Sequence, residues 1–367
     1  MIELLHSYNF GYQVLILVVS TLITWLAIPS ILHVARARHL YDDVGHFRKQ
    51  HDHGIPRLGG VAIFVSFIIT TLLFSIIDKA LPISYLLIAC IILFAMGLKD
   101  DLSGVNSSTK FLIQFIVAAI LVLLGDIRIT SMYGIWGIFS LPYVPSAIFS
   151  ILLIMLIVNS FNLIDGIDGL AATTGLIVNG TLALMFLSVK QYELAAICLA
   201  MVGAVAGFLR YNITPAKIFM GDTGALLIGL VSAVMAIKYT EISKISVAGV
   251  PHLFTAPALT VAILIGPVFD TLRVFTLRIL KGVSPFDADR NHMHHRMLKL
   301  GLNHLQATLC LAGINLGAIG FVLFFSDLSN TFLISIILLI PIIFNWMVTF
   351  CIRSKEREQV ALRNLFV

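Results

Sequence analysis

Charge is scarce in this chain of 367 residues: Asp, Glu, Lys and Arg together make up only 12%. A soluble domain carries about 25%, so half of the polar surface needed in water is missing. Hydrophobic residues fill 59% of the sequence. A water-soluble fold is thereby excluded, and the chain reads as a polytopic membrane protein. Cysteine is nearly absent as well. Cys90, Cys198, Cys310 and Cys351 stand singly in apolar segments with no CxxC spacing, which argues against disulfides and zinc and for small core- or lipid-facing side chains. No Pro/Ser-rich linker or low-complexity stretch divides the chain, so residues 1–367 read as one integral domain. No basic stretch precedes the first apolar run, which is also too long for a signal peptide; it reads as a permanent span.

What is present is a series of eleven apolar runs, at 12–35, 58–77, 83–98, 111–125, 146–164, 169–188, 194–209, 223–237, 253–272, 305–325 and 332–352. About 20 residues are needed to cross about 30 Å of hydrocarbon as a helix. The runs 83–98, 111–125 and 223–237 are short by that measure, and their flanks are expected to continue the helix beyond the bilayer. The expectation is an all-α protein with about eleven transmembrane helices, plus a small hairpin around Ile127–Met132, where the pattern alternates. Eleven crossings alternate sides, and Lys and Arg then set the orientation. Nineteen of the 24 basic residues fall on the side of the first loop and the C-terminal tail. That side is therefore expected to be cytoplasmic, with the N-terminus outside. The net charge of +5 fits loops near anionic lipid and anionic substrates, not nucleic-acid binding.

Four polar clusters fall at the ends of apolar runs, and the alternation puts all four on the cytoplasmic side. Asp100 and Asp101 form the first, with Lys110 beyond a short loop. Paired carboxylates repel and are commonly held by a cation, although pairing with Lys99 and Lys110 in a solvated loop is an equal alternative. The second runs Asn159-Ser-Phe-Asn162-Leu-Ile-Asp165-Gly166-Ile-Asp168-Gly169. Its two asparagines lie one helical turn apart on one face, and amides in an apolar helix end are costly without partners. The third is Phe219-Met220-Gly221-Asp222-Thr223-Gly224, where Asp222 could also serve as a plain helix N-cap. The fourth is Asp289-Arg290-Asn291-His292-Met293-His294-His295. Adjacent His294 and His295 cannot easily face one zinc ion, so phosphate or sugar binding is the better reading. Hard Asp and Asn oxygens favour Mg²⁺, and Mg²⁺ with Lys, Arg and His is equipment for phosphoryl transfer. No P-loop or kinase signature is present, so ATP is not the obvious donor.

Taken in order, Asp100-Asp101, Asn159-x-x-Asn162-x-x-Asp165-Gly166-Ile167-Asp168-Gly169-Leu170, Phe219-Met220-Gly221-Asp222 and His292-x-His294-His295 resemble the signature set of the polyprenyl-phosphate N-acetylhexosamine-1-phosphate transferases. The HxHH spacing is similar to the branch acting with N-acetylglucosamine and undecaprenyl phosphate; the muramoyl-pentapeptide branch usually shows three consecutive histidines. The resemblance implies transfer of N-acetylglucosamine 1-phosphate from UDP-N-acetylglucosamine to undecaprenyl phosphate, with UMP released. This would be the first membrane step of a cell-envelope polysaccharide pathway, in the bacterial inner membrane, with a homodimer as the form relatives suggest. By the same resemblance, Asp222, then Asn162, would hold Mg²⁺, with Mn²⁺ as a substitute. Asp100 and Asp101 would line the entry of the lipid phosphate, one of them as base, and Lys110 would hold a phosphate. Lys49, Asn212, Phe219 and Asp168 match positions around the nucleotide, with Phe219 on uracil; His292, His294, His295 and Arg290 would contact sugar and diphosphate. Asp165, Asp168 and His292 join Asp100, Asp101 and Asp222 as candidate catalytic residues, and Asn159 joins the candidate substrate contacts. In the resemblance the span 253–272, with Pro257 and Gly266-Pro267, bends to form a groove for the lipid tail. A secondary transporter is the competing class, but it would place carboxylates near the midplane and show repeated halves. A lipid-binding scaffold has no use for so many metal and phosphate ligands.

Overall fold

A computed structural model describes residues 10–40, 54–74, 82–242, 255–282 and 291–365, with side chains to residue 357. Its elements are α1 (Phe10–Ala37), α2 (Gly59–Phe74), α3 (Ile83–Ser103), α4 (Ser107–Ala119), β1 (Ser131–Ile135), β2 (Ile138–Ser140), α5 (Tyr143–Ile164), α6 (Leu170–Ser188), α7 (Tyr192–Asn212), α8 (Gly221–Ile242), α9 (Ala256–Leu280), α10 (Met293–Leu300), α11 (His304–Phe324) and α12 (Asn330–Leu365). A π-helical turn, Ile120–Leu124, prolongs α4. Among the described residues ten helices are long and apolar enough to span a membrane, and α2 is a shorter apolar helix of 16 residues. The runs that looked short are extended as expected: α3 reaches Ser103 and α8 begins at Gly221.

Helices prevail because nothing else closes its own backbone hydrogen bonds in hydrocarbon. Leu26, Phe324 and Trp346 stand exposed on the outside of the bundle, where lipid tails are their natural solvent. At the centre stands α8, in which every residue from Thr223 to Ile237 is buried. Close approach at its start depends on glycine: a Cβ on Gly60 would lie 2.2 Å from the Gly224 nitrogen. There the chain before α2 pairs with the chain before α8, Phe219 N–H donating to Pro56 O and Gly59 N–H to Phe219 O, both at 2.9 Å. The other end of α8 is held by the segment leading into the hairpin. Glu241 accepts from the Thr130 N–H (2.8 Å) and hydroxyl (2.9 Å), and the Tyr133 hydroxyl donates to Thr240 O. The hairpin expected near Ile127–Met132 does form, slightly later: Ser131 pairs with Ser140 and Ile135 with Ile138.

Pro257 lies in the first turn of α9, where a missing N–H costs nothing, and the helix is continuous through Gly266-Pro267. Pro267 leaves the Ile263 carbonyl without its normal donor. Asn315 of α11, buried, supplies one: Nδ2 donates to Ile263 O at 3.1 Å while Oδ1 accepts from Gly266 N–H at 3.2 Å. A side chain from the neighbouring helix thus repairs the ladder.

Candidate active site

The ends of α3, α5, α7 and α9 and the starts of α4, α6, α8 and α11 lie at one end of the bundle, and the four clusters meet there. Asp100 and Asp101 point to different tasks. Asp100 Oδ1 accepts the Val105 N–H at 2.7 Å, closing the loop to α4, and its Oδ2 takes Lys110 Nζ at 2.6 Å. Lys110 also reaches Asp222 Oδ2 at 2.8 Å, so one ammonium bridges two carboxylates. Asp101 turns to the start of α8. Its Oδ1 accepts the Asp222 N–H (2.8 Å), and its Oδ2 accepts the N–H (3.0 Å) and hydroxyl (2.6 Å) of Thr223. The first N–H groups of a helix have no partners within it; here a carboxylate from a neighbouring helix supplies them. Asp222 is therefore not the cap that its sequence position allows. It lies in the first turn of α8, and its side chain is left for Lys110 on one oxygen and for Asn162 Nδ2, at 2.8 Å, on the other.

Asn159 and Asn162 part company in the structure. Asn162 faces Asp222, whereas Asn159 donates to Gln114 Oε1 (2.6 Å) and Met155 O (2.8 Å), joining α5 to α4. Asp165 ends α5. Loss of hydration around its carboxyl, then the charges of Asp222 and Asp101, push it up to about 7, against Arg57 and a hydrogen bond from Gly221 N–H. Asp168 Oδ2 accepts the Ala216 N–H at 3.2 Å, and Oδ1 lies 3.3 Å from His304 Nδ1. Asn212, buried, accepts the Gly169 N–H and donates to Ile218 O, both at 2.9 Å, and so ties the aspartate loop to the segment carrying Phe219.

The histidine motif starts α10. Asp270 of α9 is buried, and Arg273 Nη2 donates to its Oδ1 at 2.8 Å. The same carboxylate accepts the Met293 N–H at 3.0 Å and contacts His292 Nδ1 at 3.0 Å. His292 and His294 are buried in turn. Burial first, then the neighbouring His295, push His294 down to about 3, so it is neutral at physiological pH. Its Nε2 packs on Gly166, where a Cβ would lie 2.3 Å away. Any larger residue would drive the histidine off the aspartate loop. Lys49 and Arg290 lie outside the described residues.

A cavity of about 410 Å³ opens at this end, lined by Arg57, Asp101, Asn162, Asp165, Gly166, Ile167, Asp168, Asn212, Phe219, Gly221, Asp222 and His304. Asp100 and Lys110 are not in its wall and meet Asp222 through its other oxygen. The histidine motif is not in the wall either; His294 touches the cavity only through Gly166. Two lining residues, Arg57 and His304, were not singled out in the sequence. Each stands alone there: Arg57 just before Gly59-Gly60, His304 at the first position of a span.

Oxygens of Asp100, Asp101 and Asp222 lie within 4.8 Å of one another, as donors for a divalent cation would. Those of Asp101 are engaged by N–H groups, however, and Lys110 already bridges Asp100 and Asp222. On the cavity side, Asp222 Oδ1 and the Asn162 amide remain. Turning that amide over would present its oxygen beside the carboxylate. A hard cation that keeps several waters and takes phosphate oxygens fits such a pair.

The chain is similar to known proteins. Residues 83–240 match the model of glycosyl transferase family 4. The chain is 32% identical over 296 residues to a probable undecaprenyl-phosphate N-acetylglucosaminyl 1-phosphate transferase of Bacillus subtilis, covering 80% of this chain and 79% of that one. It is 27% identical to the undecaprenyl-phosphate alpha-N-acetylglucosaminyl 1-phosphate transferase of Escherichia coli K12, over 83% and 84% of the two chains. A decaprenyl-phosphate N-acetylglucosaminephosphotransferase of Mycolicibacterium smegmatis is 31% identical over 72% and 70%.

Proposed function

Since this chain belongs to glycosyl transferase family 4, we propose that it transfers N-acetylglucosamine 1-phosphate from UDP-N-acetylglucosamine to undecaprenyl phosphate, giving undecaprenyl-diphosphate-N-acetylglucosamine and UMP. One observation supports the reading above the others: Asp222 stands between a lysine-held edge and a polar cavity, one oxygen toward each. An acceptor phosphate at Lys110 and a nucleotide-sugar in the cavity then approach one carboxylate from two sides. Carboxylates at helix ends do not suit a transporter, which needs them within the bilayer.

The lipid phosphate oxygen attacks the β-phosphorus in line; a new P–O bond forms as the bond to the bridging oxygen of UMP breaks. A phosphate monoester has its second pKa near ~6, so the nucleophile is largely ionised without help. Positioning and charge neutralisation then dominate the rate. Lys110 holds the incoming phosphate. Asp101, with both oxygens accepting from α8, is a poor base, and Asp100 is the one nearer the acceptor. Phe219 offers its ring to uracil, and Asn212 keeps Phe219 and the Asp168 loop in register. Mg²⁺ at Asp222 and Asn162, with Mn²⁺ as a substitute, would neutralise charge on the diphosphate. The polyprenyl tail is assigned to α9, beside which an apolar cavity of about 230 Å³ is lined by Leu153, Ile157, Val261, Ile265 and Leu338. The site is assigned to the cytoplasmic face of a bacterial membrane, an orientation that the distribution of Lys and Arg supports.

Purified protein with labelled UDP-N-acetylglucosamine, undecaprenyl phosphate and Mg²⁺ should yield butanol-soluble label that EDTA abolishes. Absence of lipid-linked label with any UDP-sugar would end this reading.

A further inference from the structure

His304 has no part in the chemistry assigned so far, yet its imidazole is in the cavity wall beside Asp168. We propose that His304 is a donor-binding residue, presenting Nε2 as an acceptor to a hydroxyl or amide N–H of the sugar part of the UDP-sugar while Asp168 holds Nδ1. The inference rests on the transferase reading and adds a residue to it.

Three observations support it. First, His304 is held from behind. Asp168 Oδ1 lies 3.3 Å from Nδ1, and Asp168 is itself fixed by the Ala216 N–H and by the Thr308 hydroxyl on its carbonyl. The Asp168 N–H is 3.4 Å from the same nitrogen. Nδ1 cannot serve both, and the full charge of the carboxylate makes it a donor to Asp168. The opposite nitrogen, Nε2, is then left to meet substrate. Second, the helix start does not use this side chain. The start of α11 is secured by Asn303 and Gln306, whose side chains accept each other's backbone N–H at 2.8 and 3.0 Å. The imidazole is 39% exposed, unlike buried His292 and His294. Third, position selects the ligand. His304 shares the cavity with Phe219, Asn212 and Asp222, while Lys110 and Asp100 lie outside it. A contact here is made with the nucleotide-sugar and not with the lipid phosphate.

The test is steady-state kinetics on the full-length protein in detergent, titrating UDP-N-acetylglucosamine and undecaprenyl phosphate separately. Loss of one neutral hydrogen bond should lower kcat/KM for the UDP-sugar about 5- to 10-fold in His304→Ala. The KM for undecaprenyl phosphate should stay within about twofold, since no lipid contact is removed. His304→Gln, whose amide keeps both a donor for Asp168 and an acceptor for substrate, should recover part of the loss. If His304→Ala does not purify as a single species, the same comparison is read on His304→Gln against wild type. Unchanged kcat/KM for the UDP-sugar, or an equal loss for both substrates, would overturn the assignment. A wild-type protein that makes no labelled lipid would instead remove the transferase reading on which it rests.

Discussion

Single residues decide what the acidic cluster can do. With Asp101 supplying the cap, Asp222 is free for chemistry, and Asp222→Asn should lower turnover by about 10²–10³-fold while the protein remains folded in detergent. Activity above about a tenth of wild type would place the cation elsewhere. Asp101→Asn keeps one accepting oxygen for the start of α8, so it should retain more turnover than Asp222→Asn; the reverse order would restore Asp101 as a base. His294 gives a pH signature of stability. Its folded pKa lies below that of the unfolded chain, so between about 6.5 and about 3 the unfolded state binds more protons. Stability is therefore full above that window and is lost as the pH falls through it. The melting temperature should drop between pH 6.5 and 5, and His294→Gln should flatten the drop. The residues themselves were legible in the sequence: Asp222, Asn162, Asp168, Asn212 and Phe219 do surround one cavity. Their division of labour was not, because whether Asp101 or Asp222 caps α8 depends on how α3 and α8 pack. Nor could His304 be found, since a lone histidine at a span start gains meaning only beside Asp168.

At the scale of elements, the spans were readable because a helix in hydrocarbon must be long and apolar throughout. The sequence could not say how a span with an internal proline survives, since the repair comes from another helix. Asn315→Leu would leave the Ile263 carbonyl and Gly266 N–H without that partner, and should cost about 1–3 kcal/mol, read as a lower melting temperature. No change would mean that the α9 backbone adjusts by itself. The histidine helix α10 depends likewise on α9, through Asp270. Asp270→Ala should therefore impair turnover although Asp270 lines no part of the polar cavity. Unaltered kinetics would show that α10 docks without it.

For the whole molecule, the sidedness inferred from charge asymmetry is open to a direct test. Lys190 follows α6 and Lys217 precedes α8, both exposed and at opposite ends of the bundle. With Cys351, the exposed native thiol among the described residues, replaced by serine, a membrane-impermeant maleimide on intact cells should label Lys190→Cys and spare Lys217→Cys until the cells are permeabilised. The opposite pattern would turn the site outward. One further consequence follows from α8, which is gripped by Asp101 at one end and by Thr130 and Tyr133 at the other. A rod clamped at both ends neither pistons nor swivels. Asp222, fixed in the first turn of that rod, is thereby held at one aim between Lys110 and Asn162, whatever rearrangement the surrounding helices undergo.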